Sequence, residues 1–146
     1  MGEKKCPEIF TMPLERVELE NNSYHILLPV TLNEIQGDMI VDTGASVTVA
    51  DSRLFPEEEE TDTSVQIQSG SITGDIADVR TVRLKQFCIG EWMLPDLQIA
   101  VIDLKYVNEM YDKHLKRKVI GLLGSDFCIA HQAVIDYSTL QFRLQI

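Results

Sequence analysis

The sequence predicts a mostly β protein with one or two short helices, and three observations lead to that expectation. The chain has 146 residues, of which 45% are hydrophobic and 25% charged, so it suits one soluble domain with its own core. From Tyr24 onward, short runs rich in β-branched and apolar residues alternate with turn residues, as in sheets of short strands. Only residues 104–115 carry apolar side chains at clear helical spacing. We therefore expect a single domain over residues 1–146, with residues 1–13 as an N-terminal arm that is ordered only if something holds it.

A hairpin is expected near the start of the domain. Residues 24–32 form an apolar run, residues 33–37 supply turn residues, and residues 39–41 resume an apolar run that ends at Asp42. Two such runs around a turn predict antiparallel strands. Further strands are expected at residues 47–50, 65–68, 76–84, 92–102 and 119–123, with Pro95 at a break or an edge.

One or two helices and a single helical turn are expected. Residues 104–115 predict the longest helix, because their apolar positions recur every three to four residues with charges between them. Residues 51–55 fit a single turn, because Pro56 stops a helix there. A second short helix is expected to open at residues 124–127.

The chain ends in strict alternation, which predicts a strand with one buried face. The apolar members of this alternation are Leu140, Phe142, Leu144 and Ile146. Their face needs cover, and two alternatives remain open. The strand pairs within its own domain, or it interleaves with a second chain, where the contact would also shield an exposed edge.

The balance of charges argues against one class of partner. A formal net charge of −10 repels phosphates, so no nucleic acid is expected to bind. Much of the excess lies in residues 57–62, which we interpret as a solvated loop, with a docking patch for a basic partner as the alternative. No stretch is long enough to span a bilayer, and residues 1–10 lack the apolar centre of a signal peptide. No membrane partner is therefore expected.

The cysteines and histidines predict neither a disulfide framework nor a metal site. There are three cysteines, an odd number without paired spacing, and Cys88 and Cys128 stand in apolar contexts where cysteine packs as a small hydrophobe. This usage favours a reducing compartment and hence a cytoplasmic location. The histidines are scattered along the sequence, so no metal ion and no cofactor are expected.

Residues 39–46, Met-Ile-Val-Asp-Thr-Gly-Ala-Ser, carry the candidate chemistry. The apolar run delivers the carboxylate of Asp42 to a tight turn. Thr43 is small and can donate a hydrogen bond, while Gly44 allows its N–H to approach the carboxylate closely. The three residues are a weak signal alone, and their position between two apolar strands strengthens it.

Two further features follow in order along the chain. Residues 69–75, Ser-Gly-Ser-Ile-Thr-Gly-Asp, place two glycines around a small polar tip and predict a mobile hairpin. Residues 119–124, Val-Ile-Gly-Leu-Leu-Gly, predict a buried strand that ends in glycine.

This ordered set resembles the retropepsin-like aspartic peptidases. Residues 122–127, Leu-Leu-Gly-Ser-Asp-Phe, and residues 133–137, Ala-Val-Ile-Asp-Tyr, are similar to segments of the bacterial and retroelement branches of that clan. The resemblance covers residues 24–137, most of the chain. It implies a closed, β-barrel-like acid protease fold and an aspartic endopeptidase that acts on peptide or protein substrates.

The resemblance also implies a role for each matching residue. Asp42 would be the catalytic aspartate, Thr43 would brace two active-site loops across a dimer axis, and Gly44 would offer its N–H to the carboxylate. Structural support beneath the aspartate loop would come from Leu122, Leu123 and Gly124. Substrate would be held by the flap tip and the loop, that is by Gly70, Ser71, Ile72, Thr73, Gly74 and Ala45.

The mechanism that the resemblance implies needs two carboxylates that share one proton, because two like charges so close cannot both ionise. Asp103 and Asp136 also follow apolar runs, yet neither leads into a glycine turn. A second Asp42 must then come from a second copy of the chain, and a twofold homodimer is expected.

Two other functions compete with this interpretation. A non-catalytic retropepsin-like module that binds peptide or only dimerises has the same sequence features, because a fold does not guarantee activity. A nucleotide or phosphate enzyme also places aspartate before threonine and glycine, but such enzymes need repeated βαβ units. The chain departs from retroviral members in its length, and the predicted helix at residues 104–115 would lengthen or block one end of the substrate groove.

Overall fold

A computed structural model of the chain describes residues 8–19, 22–56, 80–114 and 117–145. The strands of these ranges, in chain order, are β1 (Ile9–Pro13), β2 (Glu15–Leu19), β3 (Ser23–Leu32), β4 (Ile35–Val41), β5 (Val49–Asp51), β6 (Arg80–Ile89), β7 (Trp92–Ile102), β8 (Val119–Leu123), β9 (Val134–Asp136) and β10 (Gln141–Gln145). The helices of the same ranges are α1 (Lys105–His114), α2 (Ser125–Ala130) and one 3₁₀ turn, Ser52–Leu54. The predicted mostly β domain with short helices is confirmed.

Six of these strands close into a barrel. They neighbour one another in the order β3, β4, β8, β5, β7, β6, and β6 then pairs back onto β3. Strand β2 extends the sheet on the outer side of β3. Closure leaves the ring of six without a free edge, and it confirms the barrel that the family resemblance implied.

The hairpin that leads to Asp42 forms as the sequence predicted. Leu32 of β3 lies opposite Ile35 of β4, so the turn itself is only two residues long. Asn33 in this turn has a φ of 54°, a left-handed conformation that asparagine tolerates better than most residues. Its side-chain oxygen accepts a hydrogen bond from the Lys85 backbone at 2.8 Å, which ties the turn to β6.

Alternate residues of β3 serve two different apolar clusters. Ile26, Leu28, Val30 and Leu32 belong to the main core. Leu27 belongs to a second cluster, which also contains Tyr111 of α1. Side chains of a strand alternate between its faces, so β3 is covered on both faces around Leu27, where three consecutive apolar residues are buried.

The C-terminal strand pairs within its own chain, which decides between the two alternatives left open by the sequence. Strand β10 lies between β1 and β9, and both pairings are antiparallel. Phe142 and Leu144 are buried in the main core, as the alternation predicted. Residues 9–13 of the N-terminal arm are therefore held in place as β1.

Strand β7 has the predicted range, residues 92–102, whereas β6 differs from its predicted range. Within the described residues, β6 covers Arg80–Ile89, so it continues beyond the predicted end at residue 84. Residues 92–102 form one continuous strand, and Pro95 lies where β7 pairs with β6 but not with β5. Proline occurs at such edge positions because it cannot donate a hydrogen bond to a further strand.

The predicted strand at residues 65–68, the predicted flap and the acidic run at residues 57–62 lie outside the described residues. In the ranges that are described, no helix combines the length and the apolar character required to cross a membrane.

Candidate active site

Asp42 stands where strand β4 stops, beside the end of β8. The two strands run parallel, with Ile40 opposite Leu122 and Val41 opposite Leu123. The backbone N–H of Asp42 donates to the Leu123 carbonyl at 2.9 Å. This bond extends the strand pairing by one residue and fixes the backbone that carries the carboxylate.

A tight turn then brings the chain back under the carboxylate. The Gly44 N–H donates to Asp42 Oδ1 at 3.1 Å, and the Ala45 N–H donates to the Asp42 carbonyl at 3.1 Å. A Cβ on residue 44 would lie 3.3 Å from Asp42 Oδ1, a close contact that glycine avoids. Thr43 and Gly44 are exposed, whereas Ala45 is only 5% exposed.

The end of β8 supports this turn from beneath. The Ser125 N–H donates to the Ala45 carbonyl at 2.8 Å. A Cβ on Gly124 would lie 2.8 Å from the same carbonyl oxygen and 2.8 Å from the Val47 carbonyl carbon. Both contacts are with backbone atoms that cannot rotate away. Residue 124 therefore has to be glycine for β8 and the aspartate loop to pack this closely.

Thr48 joins the aspartate loop to helix α2 through its side chain. Its hydroxyl donates to Asp126 Oδ1 at 2.7 Å and accepts from the Gly124 N–H at 3.0 Å. The Thr48 backbone N–H also donates to Asp126 Oδ1, at 2.9 Å. Because Thr48 is only 2% exposed, these bonds form a buried link between the two motifs that the sequence singled out separately.

An open cavity of about 630 Å³ lies beside Asp42, a size within the usual range of ligand-binding sites. Its apolar lining comes from Ile26, Ile40, Val41, Val107 and Leu122. Its polar and aromatic lining comes from Arg16, Tyr24, His25, Asp42, Thr43 and Tyr137. Asp42 is the one carboxylate among these described lining residues.

His25 is one of the polar side chains that line this cavity. Its Nδ1 lies 2.8 Å from the Tyr111 hydroxyl, which belongs to α1. Burial lowers the pKa of His25, and the negative charge of Asp42 opposes that effect. Burial also raises the pKa of Tyr111 to about 12, so the hydroxyl keeps its proton at neutral pH.

The structure brings together Asp42, Thr43, Gly44 and the supporting residues Leu122, Leu123 and Gly124. Of the predicted substrate-binding residues, Ala45 is buried and offers little surface, and its role stays a prediction. The remaining predicted substrate-binding residues, Gly70, Ser71, Ile72, Thr73 and Gly74, lie outside the described residues.

Sequence reasoning missed Thr48 and the pair formed by His25 and Tyr111. Thr48 lies 78 residues from Asp126 along the chain, and His25 lies 86 residues from Tyr111. No local motif connects residues so far apart. The one available signal was that Asp126 belongs to the Leu-Leu-Gly-Ser-Asp-Phe segment.

Comparison with known proteins gives one family and two structural neighbours. The model of the aspartyl protease family matches residues 28–127. A retropepsin-like aspartic protease from Rickettsia conorii matches with 15% sequence identity and a TM-score of 0.53, over 99% of this chain and 97% of its own. The retroviral protease-like domain of Ddi1 from Leishmania major has 16% identity and a TM-score of 0.46, over 77% of this chain and 81% of its own. No curated protein matches the sequence significantly.

The likeness to the Rickettsia structure extends over nearly the whole of both chains and concerns the fold alone. The family match covers β4, β8 and both segments that shape the Asp42 turn. The barrel is retropepsin-like, and because the family model matches residues 28–127, the chain belongs to the aspartyl protease family.

Proposed function

We propose that this chain is an aspartic endopeptidase that works as a homodimer, with one Asp42 from each protomer. One observation carries the proposal. Asp42 lies beside an open cavity, on a turn that its own chain holds rigidly, and is the one carboxylate among the described residues lining that cavity. A dyad needs two carboxylates, and a twofold axis beside Asp42 supplies the second without any other residue.

The proposed reaction follows from the chemistry of such a pair. The ionised Asp42 takes a proton from a water molecule held between the carboxylates, and the water oxygen attacks the carbonyl carbon of the peptide bond. The protonated Asp42 of the partner subunit gives its proton to the carbonyl oxygen. In the collapse of the tetrahedral intermediate, the first Asp42, now protonated, gives its proton to the amide nitrogen, and the ionised Asp42 of the partner subunit takes a proton from one hydroxyl. The carbon–nitrogen bond then breaks to leave a carboxylic acid and an amine, and one shared proton remains on the dyad. The two carboxylates titrate as one unit throughout.

The turn around Asp42 supports this role in two ways. The Gly44 N–H at 3.1 Å from Oδ1 orients the carboxylate, and preorganised orientation lowers the cost of reaching the transition state. Thr43 is exposed next to Asp42, so its hydroxyl is available to meet the equivalent loop of a partner subunit. Both Cys88 and Cys128 are free thiols, which supports action in a reducing, cytoplasmic setting.

The first test compares two isosteric substitutions. Denatured casein and a peptide library are incubated over a range of pH with the wild-type protein, with Asp42→Asn and with Asp96→Asn. Asp96 is a suitable control because it is exposed and has a φ of 64°, where asparagine is well tolerated. Cleavage by the wild type and the control, but not by Asp42→Asn, is expected. If a verified dimer binds peptides but cleaves none of them at any pH, the chain is a non-catalytic binding module.

The second test examines the homodimer directly. Wild-type and Asp42→Asn protomers are mixed in equal amounts and allowed to exchange, and activity is measured per total protein. If both carboxylates are needed, only wild-type pairs are active, and activity falls to about one quarter of that of the pure wild type. Activity of about one half would mean that each protomer works alone, which would contradict the proposed dyad.

A further inference from the structure

Helix α1 supplies one wall of the cavity beside Asp42. Val107 lines the cavity, and Tyr111, one helical turn further on, bonds to His25, which also lines it. Residues four apart lie on the same face of a helix. One face of α1 therefore contributes an apolar side chain, Val107, to the cavity wall. The same face contributes the Tyr111 hydroxyl, which holds the polar wall residue His25 in place.

This helix is fixed to the barrel by a buried asparagine. The Asn108 side-chain amide donates to Asp51 Oδ2 at 2.9 Å, and its carbonyl oxygen accepts from the Val119 backbone N–H at 3.1 Å. Asn108 and Asp51 are both buried. Buried polar groups with satisfied partners give a specific orientation, so Val107 and Tyr111 hold defined positions relative to Asp42.

The imidazole of His25 has one nitrogen engaged and one available. Nδ1 is bonded to the Tyr111 hydroxyl, and for Nε2 no hydrogen-bond partner exists among the described residues. Whichever tautomer forms, Nε2 acts as a donor or an acceptor. A ligand group that both donates and accepts would satisfy it in either case.

We propose that α1 turns this cavity into a pocket for a tyrosine side chain of the substrate. The ring would lie against the apolar walls formed by Ile26, Ile40, Val107 and Leu122, and its hydroxyl, which both donates and accepts, would bond to His25 Nε2. His25 is thus the specificity-determining residue, and Tyr111 is the positioning residue that holds it. This inference rests on the proposed peptidase function, because the pocket adjoins Asp42.

The test uses pairs of peptides. The two members of a pair differ at one position near the cleaved bond, where one has tyrosine and the other phenylalanine, and each such position has its own pair. The ratio of their kcat/KM values is measured for the wild type, for Tyr111→Phe and for Tyr106→Phe. Tyr106 is the matched control, because it lies on the same helix and is 84% exposed. A single hydrogen bond should favour tyrosine about threefold to tenfold in the wild type and the control, and Tyr111→Phe should bring the ratio close to one. A variant that is only partly folded lowers both rates equally and leaves the ratio unchanged.

Two further variants keep the test decisive if Tyr111→Phe is unstable. His25→Asn places an amide where Nδ1 stood and removes Nε2, so the tyrosine preference should disappear while the bond to Tyr111 is kept. Val107→Ala should widen the pocket and raise the relative rate for a tryptophan peptide, whereas Val134→Ala, which is 47% exposed on β9, should not. A wild-type tyrosine ratio near one, or a ratio that Tyr111→Phe and His25→Asn leave unchanged, overturns the inference.

Measuring peptide binding to the Asp42→Asn variant tests the tyrosine pocket separately from the proposed peptidase activity. The affinity of the tyrosine and phenylalanine peptides for this variant is measured by fluorescence anisotropy, with and without Tyr111→Phe. A tyrosine preference in binding, in a protein whose wild type cleaves nothing, would support the pocket and contradict the peptidase. Cleavage without any tyrosine preference would contradict the pocket alone. The absence of both cleavage and binding would contradict both.

Discussion

Replacement of Thr48 by valine should destabilise the aspartate loop strongly, although the two side chains have nearly the same shape. The change removes the hydroxyl that donates to Asp126 and accepts from Gly124. Asp126 is exposed, so water can replace the lost donor there. Gly124 is buried, and its N–H would be left without a partner at a cost of about 1–3 kcal/mol. With about 1 kcal/mol for the second bond, we expect a total loss of about 2–4 kcal/mol.

Urea unfolding followed by the fluorescence of Trp92, the one tryptophan of the chain, measures this loss. The protomer concentration must be held fixed, because the stability of the proposed dimer would depend on it. Thr48→Ser keeps the hydroxyl and should cost about 1 kcal/mol for the lost methyl group. Thr31→Val, a half-buried position on β3, should change stability by less than about 0.5 kcal/mol.

The comparison among these three variants shows whether the Thr48 hydroxyl stabilises the aspartate loop. If Thr48→Val loses no more stability than Thr48→Ser, the hydroxyl does not hold the loop to α2, and the reasoning is refuted. A loss in the expected range against a typical total of about 5–15 kcal/mol would identify Thr48 as one of the main supports of the site.

Three other predictions concern the glycine beneath the aspartate loop, the attachment of α1 to the barrel, and the pH dependence of stability. Gly124→Ala should cost about 1–3 kcal/mol in urea unfolding, because its Cβ would meet fixed backbone atoms of Val47. Asn108→Ala should cost about 2–4 kcal/mol in the same assay, because it leaves buried partners such as Asp51 with fewer hydrogen bonds. Burial lowers the pKa of His131, so the unfolded chain binds a proton more readily than the native one. Thermal stability should therefore fall as pH drops from about 6.5 towards the lowered pKa, and His131→Phe should make that fall shallower.

Each of these predictions has a control. Gly44→Ala meets only a side-chain oxygen at 3.3 Å and should cost less stability than Gly124→Ala. Glu109→Ala, at an exposed position next to Asn108 on α1, should cost less than about 0.5 kcal/mol. If the pH dependence of unfolding is the same with histidine or phenylalanine at residue 131, the proton linkage assigned to His131 is wrong.

The sequence predicted those parts of the fold whose signal is local. The hairpin of β3 and β4 was predictable because two apolar runs flank turn residues. Strand β2 was not, because a period of two over the five residues Glu15–Leu19, with only Val17 and Leu19 buried, is too short to stand out. Its burial depends on pairing with β3, which a local pattern does not contain.

The contacts of the candidate site also fall into local ones, which the sequence predicted, and long-range ones, which it did not. Asp42 and Gly44 were predictable because their contact spans two residues, and the supporting glycine at residue 124 was predictable through its motif. The bond between His25 and Tyr111 arises only when α1 packs across the barrel. A single histidine in a strand carries no sign of that contact, and so the polar wall of the cavity was invisible in the sequence.

The geometry around Asp42 has a consequence for any twofold arrangement. Within one chain, the bonds from Gly44 and to Leu123 fix where the carboxylate stands, while Thr43 on its outer side is exposed. A twofold axis copies every positional constraint of one loop onto the other. The spacing of two carboxylates would then be set by the same glycine contact at residue 124, applied twice. A substitution that displaces the loop in one protomer displaces it in both, so in the proposed dimer Gly124→Ala should reduce activity far more than its cost in stability alone would suggest.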